Sequence, residues 1–151
     1  MQLRHTKVAA AALAGLMALL CGTALASSLS FAWTMNNRYV NGKTNGRFHT
    51  LDAGELTLSG KIWITEKRAA AASTPLSISM SVVKEQDSSE RDAVCTVTVT
   101  PDTTINNKKE FSRSCGRIES GKFWLLIDKV GASNPDGDGW HNQGSGTLTT
   151  N

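Results

Sequence analysis

Residues 76–83 read Leu-Ser-Ile-Ser-Met-Ser-Val-Val, and this stretch decides the fold. Every second residue from Leu76 to Val82 is apolar, and the residues between them are all serine. A period of two places the apolar side chains on one face of a β-strand and the serines on the other face. The segment therefore predicts a strand with one dry face and one polar face.

The same alternation recurs along the chain, and no helical period interrupts it. It is seen in residues 29–33, 56–64, 93–99 and 123–127. Turn-forming residues separate these segments, including two Asn-Gly pairs within residues 41–46. Gly60 lies in phase inside one strand, which indicates a bulge or a close backbone approach. The pattern predicts an all-β chain of about seven to nine strands, folded as an antiparallel β-sandwich.

Two sandwich topologies fit this pattern, a jelly roll and an immunoglobulin-like fold. The immunoglobulin pattern places a tryptophan between two cysteines on another strand. No tryptophan lies between Cys95 and Cys115. We therefore prefer the jelly-roll-like topology, with the immunoglobulin-like one as the alternative.

The first 26 residues have the layout of a cleaved signal peptide. Arg4 and Lys7 form a basic start, residues 8–20 are apolar, and Ala24-Leu25-Ala26 is a small-x-small cleavage site. The apolar run is shorter than the roughly 20 residues that span a bilayer. We expect a signal peptide at 1–26, a single secreted domain at 27–151, and no transmembrane anchor.

The number of cysteines is consistent with a secreted protein. Cys21 lies in the predicted leader, which leaves Cys95 and Cys115 as an even pair in an oxidising setting. A disulfide between them is the natural expectation. The alternative for the leader is a lipoprotein with Cys21 as its modified first residue, although Leu20 stands where a small residue is needed.

Net charge argues against two classes of partner. The whole chain carries +3, and removing Arg4 and Lys7 leaves +1. Nucleic acids and anionic membranes require a concentrated basic surface, which such a chain lacks. We expect a monomer whose partner is a polysaccharide or a secreted or surface protein.

The glycine-rich stretch 131–146 reads as a long polar loop, followed by a short last strand at 147–150. Within it, Asn134, Asp136 and Asp138 have the alternate spacing of the front half of a calcium loop, with Gly139 at position six. Position twelve is Ser145 rather than a bidentate glutamate. The expectation is weakly bound calcium or no cofactor, and a polar Asx-rich turn explains the residues equally well.

Aromatic residues supply the other candidate site. Trp140 is followed by His141 and Asn142, and an indole beside amide groups can stack on a sugar ring and bond its hydroxyls. Trp63 is out of phase with its apolar neighbours, so we expect it on the solvent-exposed face of a strand. The same argument places Trp124 on a solvent-exposed face. The alternative for each is burial under loops.

No nucleophile and base can be paired in the sequence, and no Gly-x-Ser-x-Gly elbow or metal-protease motif occurs. The prediction is a non-catalytic secreted binding module for polysaccharide or a cell-envelope surface, with Trp140, His141, Asn142 and Trp63 as ligand-binding residues. The alternative is a protein-interaction protein, such as a protease inhibitor or an antagonistic effector. Its contact loop would be 131–146 or 36–46.

Overall fold

A computed structural model describes residues 26–86 and 93–151. The predicted signal peptide, apart from Ala26, lies outside the described residues. Within them no helix is long and apolar enough to cross a membrane.

The described residues form nine β-strands. They are β1 (Ser27–Met35), β2 (Tyr39–Asn41), β3 (His49–Leu51), β4 (Gly54–Lys67), β5 (Ile78–Lys84), β6 (Ala93–Val99), β7 (Lys109–Ile118), β8 (Gly121–Lys129) and β9 (Trp140–Thr150).

The strands make two antiparallel sheets that pack as a sandwich. Sheet A has the order β1-β9-β4-β7. Sheet B has the order β2-β8-β5-β6, and β3 pairs with the other end of β8. If β2 and β3 are taken as one interrupted strand, the first strand pairs with the last, the second with the second-last, and so on inward. This nested pairing is the jelly roll, which confirms the preferred topology.

The alternating apolar residues of the strands fill the core, as predicted. Ile78, Met80 and Val82 are fully buried between the sheets. The serines of the same strand lie on the outer face, where Ser81 bonds the hydroxyl of Thr96 on β6 at 2.9 Å. Hydrophobic burial on one face and hydroxyl pairing on the other therefore fix the register of β5.

Three glycines in the middle of sheet A make room for aromatic rings. Each faces an aromatic residue across a strand pair, in the pairs Trp33 with Gly144, Phe31 with Gly146, and Phe111 with Gly60. A Cβ atom at any of the three glycines would lie within 2.8 Å of its partner's ring. The close approach predicted at Gly60 is thus real, and it is one of three.

The strand boundaries correct one expectation about the last loop. Residues 140–146 belong to β9 rather than to a loop, so the final strand is eleven residues long. Gly144 and Gly146 looked like loop glycines, but they are strand glycines that the rings of β1 require.

Trp124 corrects another expectation, because it is 2% exposed rather than on a wet surface. Its cross-strand partner Val83 is equally buried. The two side chains lie together outside the main core cluster, so strict alternation of burial fails at this point of sheet B.

The predicted disulfide joins the two sheets. Cys95 on β6 and Cys115 on β7 are bonded, with their Cα atoms 5.2 Å apart. Because β6 and β7 are edge strands of different sheets, the bond ties one lateral side of the sandwich. On the opposite side, β1 of sheet A faces β2 and β3 of sheet B without such a link. We call this the open side.

Candidate functional site

The predicted sugar platform is buried. Trp140 begins β9 and is 3% exposed. Its Nε1 donates a hydrogen bond to the carbonyl oxygen of Ala72 at 2.9 Å, and the Lys67 ammonium lies 4.6 Å from the ring centroid. The indole therefore serves to hold the 68–76 loop against the end of sheet A.

Asp138 is tied into the same region by three donors. Its Oδ1 accepts from the Lys129 ammonium at 2.7 Å and from the backbone N–H of Trp140 at 3.1 Å. Its Oδ2 accepts from the backbone N–H of Leu76 at 2.7 Å. The Lys129 side chain is fully buried and also donates to the carbonyl oxygen of Trp140. The aspartate thus neutralises a buried lysine and joins two loops.

Opposing effects act on the pKa of Asp138. Burial by itself raises it, while hydrogen bonds from Leu76, Lys129 and Trp140 lower it and outweigh burial. The net pKa lies below the ordinary value for an aspartate. The carboxylate is therefore charged at neutral pH, as its partner Lys129 requires.

The other two residues of the predicted calcium loop lie apart from this network. Asp136 and Asn134 are exposed, and the backbone carbonyl of Asn134 closes a turn by accepting from Gly137. In the described part of the chain, no group of three or more His, Cys, Asp or Glu residues could hold a metal ion. Both Asp138 oxygens face protein donors, so the loop as it stands is a hydrogen-bonded turn.

His141 and Asn142 are also buried in β9. The Nδ1 of His141 lies 3.0 Å from a carboxylate oxygen of Glu66 on β4, and the amide of Asn142 donates to the carbonyl oxygen of Trp140. The His141 Nε2 and the Asn142 Oδ1 have no hydrogen-bond partner within the described residues. Trp140, His141 and Asn142 are consecutive residues of β9, and all three are buried rather than presented on a surface.

Trp63 lies where the sequence places it, on the outer face of β4. It is partly exposed, while its neighbours Ile62 and Ile64 are fully buried. The Lys108 ammonium lies 4.9 Å from the indole centroid. Trp63 is thus the predicted ligand-binding residue that remains at the surface.

A concave surface of the described residues lies on the open side. A cleft of about 510 Å³ lies between β1 and the β2–β3 segment. Its apolar lining includes the partly exposed rings of Phe31 and Phe48, and its polar lining includes Arg47 and His49. A second cleft of about 490 Å³ continues along β1 and ends at Trp63 and Gln143. The two clefts share Arg47, and together we call them the open-side groove.

A compact turn positions the rim of this groove. The N–H of Gly42 donates to the carbonyl of Leu125, and the N–H of Arg47 donates to the carbonyl of Gly42. Gly46 adopts a φ of 65°, the left-handed conformation that glycine tolerates best. The predicted Asn-Gly turn chemistry is therefore present, and it holds the exposed Arg47 beside β1.

Two ionisable side chains, Arg47 and His49, line the groove. Burial lowers the pKa of His49, so its imidazole is neutral at pH 7. Arg47 contributes a guanidinium group to both clefts. No aspartate or glutamate lines either cleft.

The sequence pointed to one rim of the groove but not to the groove itself. Residues 36–46 were one of the two candidate interaction loops, and they form much of that rim. Within the alternation of residues 29–33, Trp33 is in phase with Leu29 and Phe31, and it is 7% exposed. What the alternation could not reveal is that β1 is an edge strand, because that depends on the order of all the strands.

Comparisons with known proteins show likeness of fold only. No protein-family model matches the chain, and no curated protein sequence matches it. One similar structure is the VP2 subviral particle of infectious bursal disease virus, at 14% identity and a TM-score of 0.45, covering 95% of this chain and 38% of that chain. A second structure of that virus is matched over 33% of its own chain, so this chain spans well under two thirds of these proteins.

Two further structures are matched over most of their own length. PliG of Aeromonas hydrophila, a periplasmic lysozyme inhibitor of g-type lysozyme, is 11% identical with a TM-score of 0.34, covering 82% of this chain and 85% of that chain. Turnip yellow mosaic virus is 14% identical with a TM-score of 0.31, covering 99% of this chain and 90% of that chain. At these identities and TM-scores the likenesses carry no functional argument.

Proposed function

We propose that the protein is a secreted, non-catalytic binding protein that holds an extended segment of a partner protein on its open side. The observation that carries this proposal is that a long, uncharged edge strand borders a partly apolar groove. β1 has nine residues, Ser-Ser-Leu-Ser-Phe-Ala-Trp-Thr-Met, with no charge, no proline and no glycine.

The β1 edge offers a ready row of backbone groups. In an antiparallel pair, alternate residues turn their N–H and C=O groups toward the neighbour, and the residues between them point away. β1 pairs with β9 along its whole length, so its second set of backbone groups faces the open side. An extended peptide can continue sheet A by bonding to that set.

The other edges of the sandwich are blocked or short. β7 carries Lys109, Glu110, Arg113 and Arg117, and such charges discourage strand addition. β6 is uncharged, but it lies at the side that the disulfide ties to β7. β2 and β3 are three residues each. Among the described strands, β1 is therefore the best template for a partner strand.

Polysaccharide binding is the second candidate function, and one observation favours it. Trp63 keeps part of its indole exposed at the far end of the groove, where Asn45 and Gln143 also line the cleft. An aromatic ring beside amide groups suits a sugar, whose apolar face stacks while its hydroxyls form hydrogen bonds. The site first expected around Trp140 has no such exposed ring.

Two probes decide between these functions, a random peptide library displayed on phage and a panel of insoluble polysaccharides. The purified protein should enrich peptides from the library. Because Trp63 lies on β4, two strands from the β1 edge, Trp63→Ala should weaken peptide binding less than the β1 substitutions below do. Enrichment of no peptide, together with Trp63-dependent retention on a polysaccharide, would overturn the peptide proposal and support the second candidate.

Edge substitutions test where a selected peptide binds. Ala32→Lys and Ala32→Glu each place a charge in the middle of β1, so both should weaken binding, by up to about fivefold. The matched controls are Ser112→Lys and Ser112→Glu on β7, the opposite edge of sheet A, which should leave binding unchanged. Measured at high salt, where charge attraction to the peptide is screened, both Ala32 variants should still weaken binding, and unchanged affinity for both would contradict edge pairing.

A further inference from the structure

We infer that the open-side groove selects an acidic partner, an extended polypeptide segment whose Asp or Glu side chain meets Arg47 while its backbone pairs with β1. This inference rests on the proposed function and adds the chemistry of the partner. It is carried by the charge distribution around the groove and by the way the groove follows β1.

The groove is positively charged without compensation. Arg47 lines both of its clefts, and neither cleft contains an acidic residue. β1 has no charged residue, and the turn at 42–48 adds Lys43 but no carboxylate. The ion pairs within the described residues involve other lysines and His141, so Arg47 has no acidic partner there. A carboxylate from outside is the group that complements this surface.

Arginine is well suited to that contact. Its planar guanidinium can bond both oxygens of a carboxylate at once, and such charge-assisted pairs are stronger than neutral hydrogen bonds. The groove around Arg47 is otherwise neutral, because the pKa of His49 is lowered and the neighbouring rings of Phe31 and Phe48 are apolar. Arg47 is exposed in the free protein, so the pair gains strength where the bound segment covers it from water.

The length of the groove matches a short strand. Its two clefts are lined by β1 residues from Ser30 to Thr34. Five residues of extended chain span about 16 Å. A peptide of that length would alternate its side chains between the groove and solvent, so apolar residues should recur at every second position. The expected ligand is therefore an alternating apolar segment that also carries an acidic residue.

The test uses peptides selected from the random library by the purified protein. The expected result is a shared pattern of alternating apolar residues with an Asp or Glu at a fixed position. Arg47→Gln should bind such a peptide about tenfold more weakly, and Arg47→Lys should retain part of the affinity. Arg113→Gln, which removes an exposed arginine from β7, is the matched control and should bind as the parent does.

A double-mutant cycle assigns the contact. Changing the acidic residue of the peptide to its amide should weaken binding to the parent about tenfold, and should change binding to Arg47→Gln little. If selected peptides lacked an acidic residue and bound Arg47→Gln as tightly as the parent, the inference would be overturned. The proposed function would still stand in that case, provided that both Ala32 variants weakened binding. If no peptide were selected, the proposed function and the inference would fail together.

Discussion

The indole of Trp33 occupies the space that a side chain at Gly144 would need. The two residues face each other across the β1–β9 pair, and a Cβ at Gly144 would lie 2.5 Å from ring atoms of Trp33. This contact attaches the edge strand β1 to its sheet, and it shapes the floor of the groove. The sequence of β9 is thus adapted to the rings of β1.

Gly144→Ala should destabilise the fold because the added methyl group displaces the Trp33 ring. Overpacking of this kind costs about 1–3 kcal/mol. Urea unfolding would show a lower midpoint, and Ser145→Ala on the same strand is the exposed control. In a Trp33→Val background, where the indole is gone, Gly144→Ala should cost less than it does in the parent. Equal midpoints for parent and Gly144→Ala would contradict the contact.

The Cys95–Cys115 bond should stabilise the sandwich by linking its two sheets. The cysteines are 20 residues apart, and a loop of that size gives about 3 kcal/mol in the chain-entropy model. Reduction should therefore lower the unfolding midpoint of the parent and leave a Cys95→Ser/Cys115→Ser double variant unaffected. A parent that unfolds identically with and without reductant would show that the bond contributes nothing.

Asp138→Asn should weaken the fold in a pH-dependent way. The change leaves the buried Lys129 charge unpaired, and breaking a buried pair costs about 3–5 kcal/mol. Because the folded pKa of Asp138 lies below the unfolded value of about 3.9, its contribution is complete above that value. It is lost as the pH falls through the folded pKa.

The difference in stability between parent and Asp138→Asn should therefore be constant near neutral pH and shrink below about pH 4. Unfolding free energies measured between pH 7 and acid would show this. Asp136→Asn, an exposed aspartate in the same loop, is the control and should follow the parent throughout. A pH-independent difference would contradict the role given to the Asp138 carboxylate.

Removal of the Trp140 ring should cost more stability than removal of the Trp63 ring. Trp140→Ala empties a buried site and should cost about 3–5 kcal/mol of stability. Trp63→Ala removes a partly exposed ring and its contact with Lys108, which should cost less than about 1.5 kcal/mol. Thermal unfolding of the two variants measures both losses of stability. Equal losses would contradict the claim that Trp140 contributes more because it is buried.

Much of the fold could be predicted because it depends on local alternation. The period of two in residues 76–83 fixed both the strand and its buried face, and the lack of a tryptophan between the cysteines favoured the jelly roll. The prediction of a loop up to residue 146 was wrong for a physical reason. Glycine reads as loop when only local sequence is known, and the contact that makes Gly144 a strand residue comes from Trp33, more than a hundred residues earlier.

The candidate site was harder to predict, for a similar reason. Trp140, His141 and Asn142 have the composition of a sugar site, but the 68–76 loop covers the indole through a bond to Ala72. Whether a polar residue is exposed depends on such distant segments. Strand phase placed Trp63 correctly at a partly exposed position, but the same argument failed for Trp124, which is buried. The open-side groove required the order of the strands, which no single segment encodes.

Hydrogen exchange of the β1 amides, with and without a peptide selected from the random library, tests the central claim most directly. If the partner strand adds to β1, alternate amides from Ser27 to Met35 that do not bond to β9 should slow on binding, while those of β6 and β7 stay unchanged. Protection on β6 or β7, or a bound peptide that leaves every β1 amide unaltered, would contradict the account.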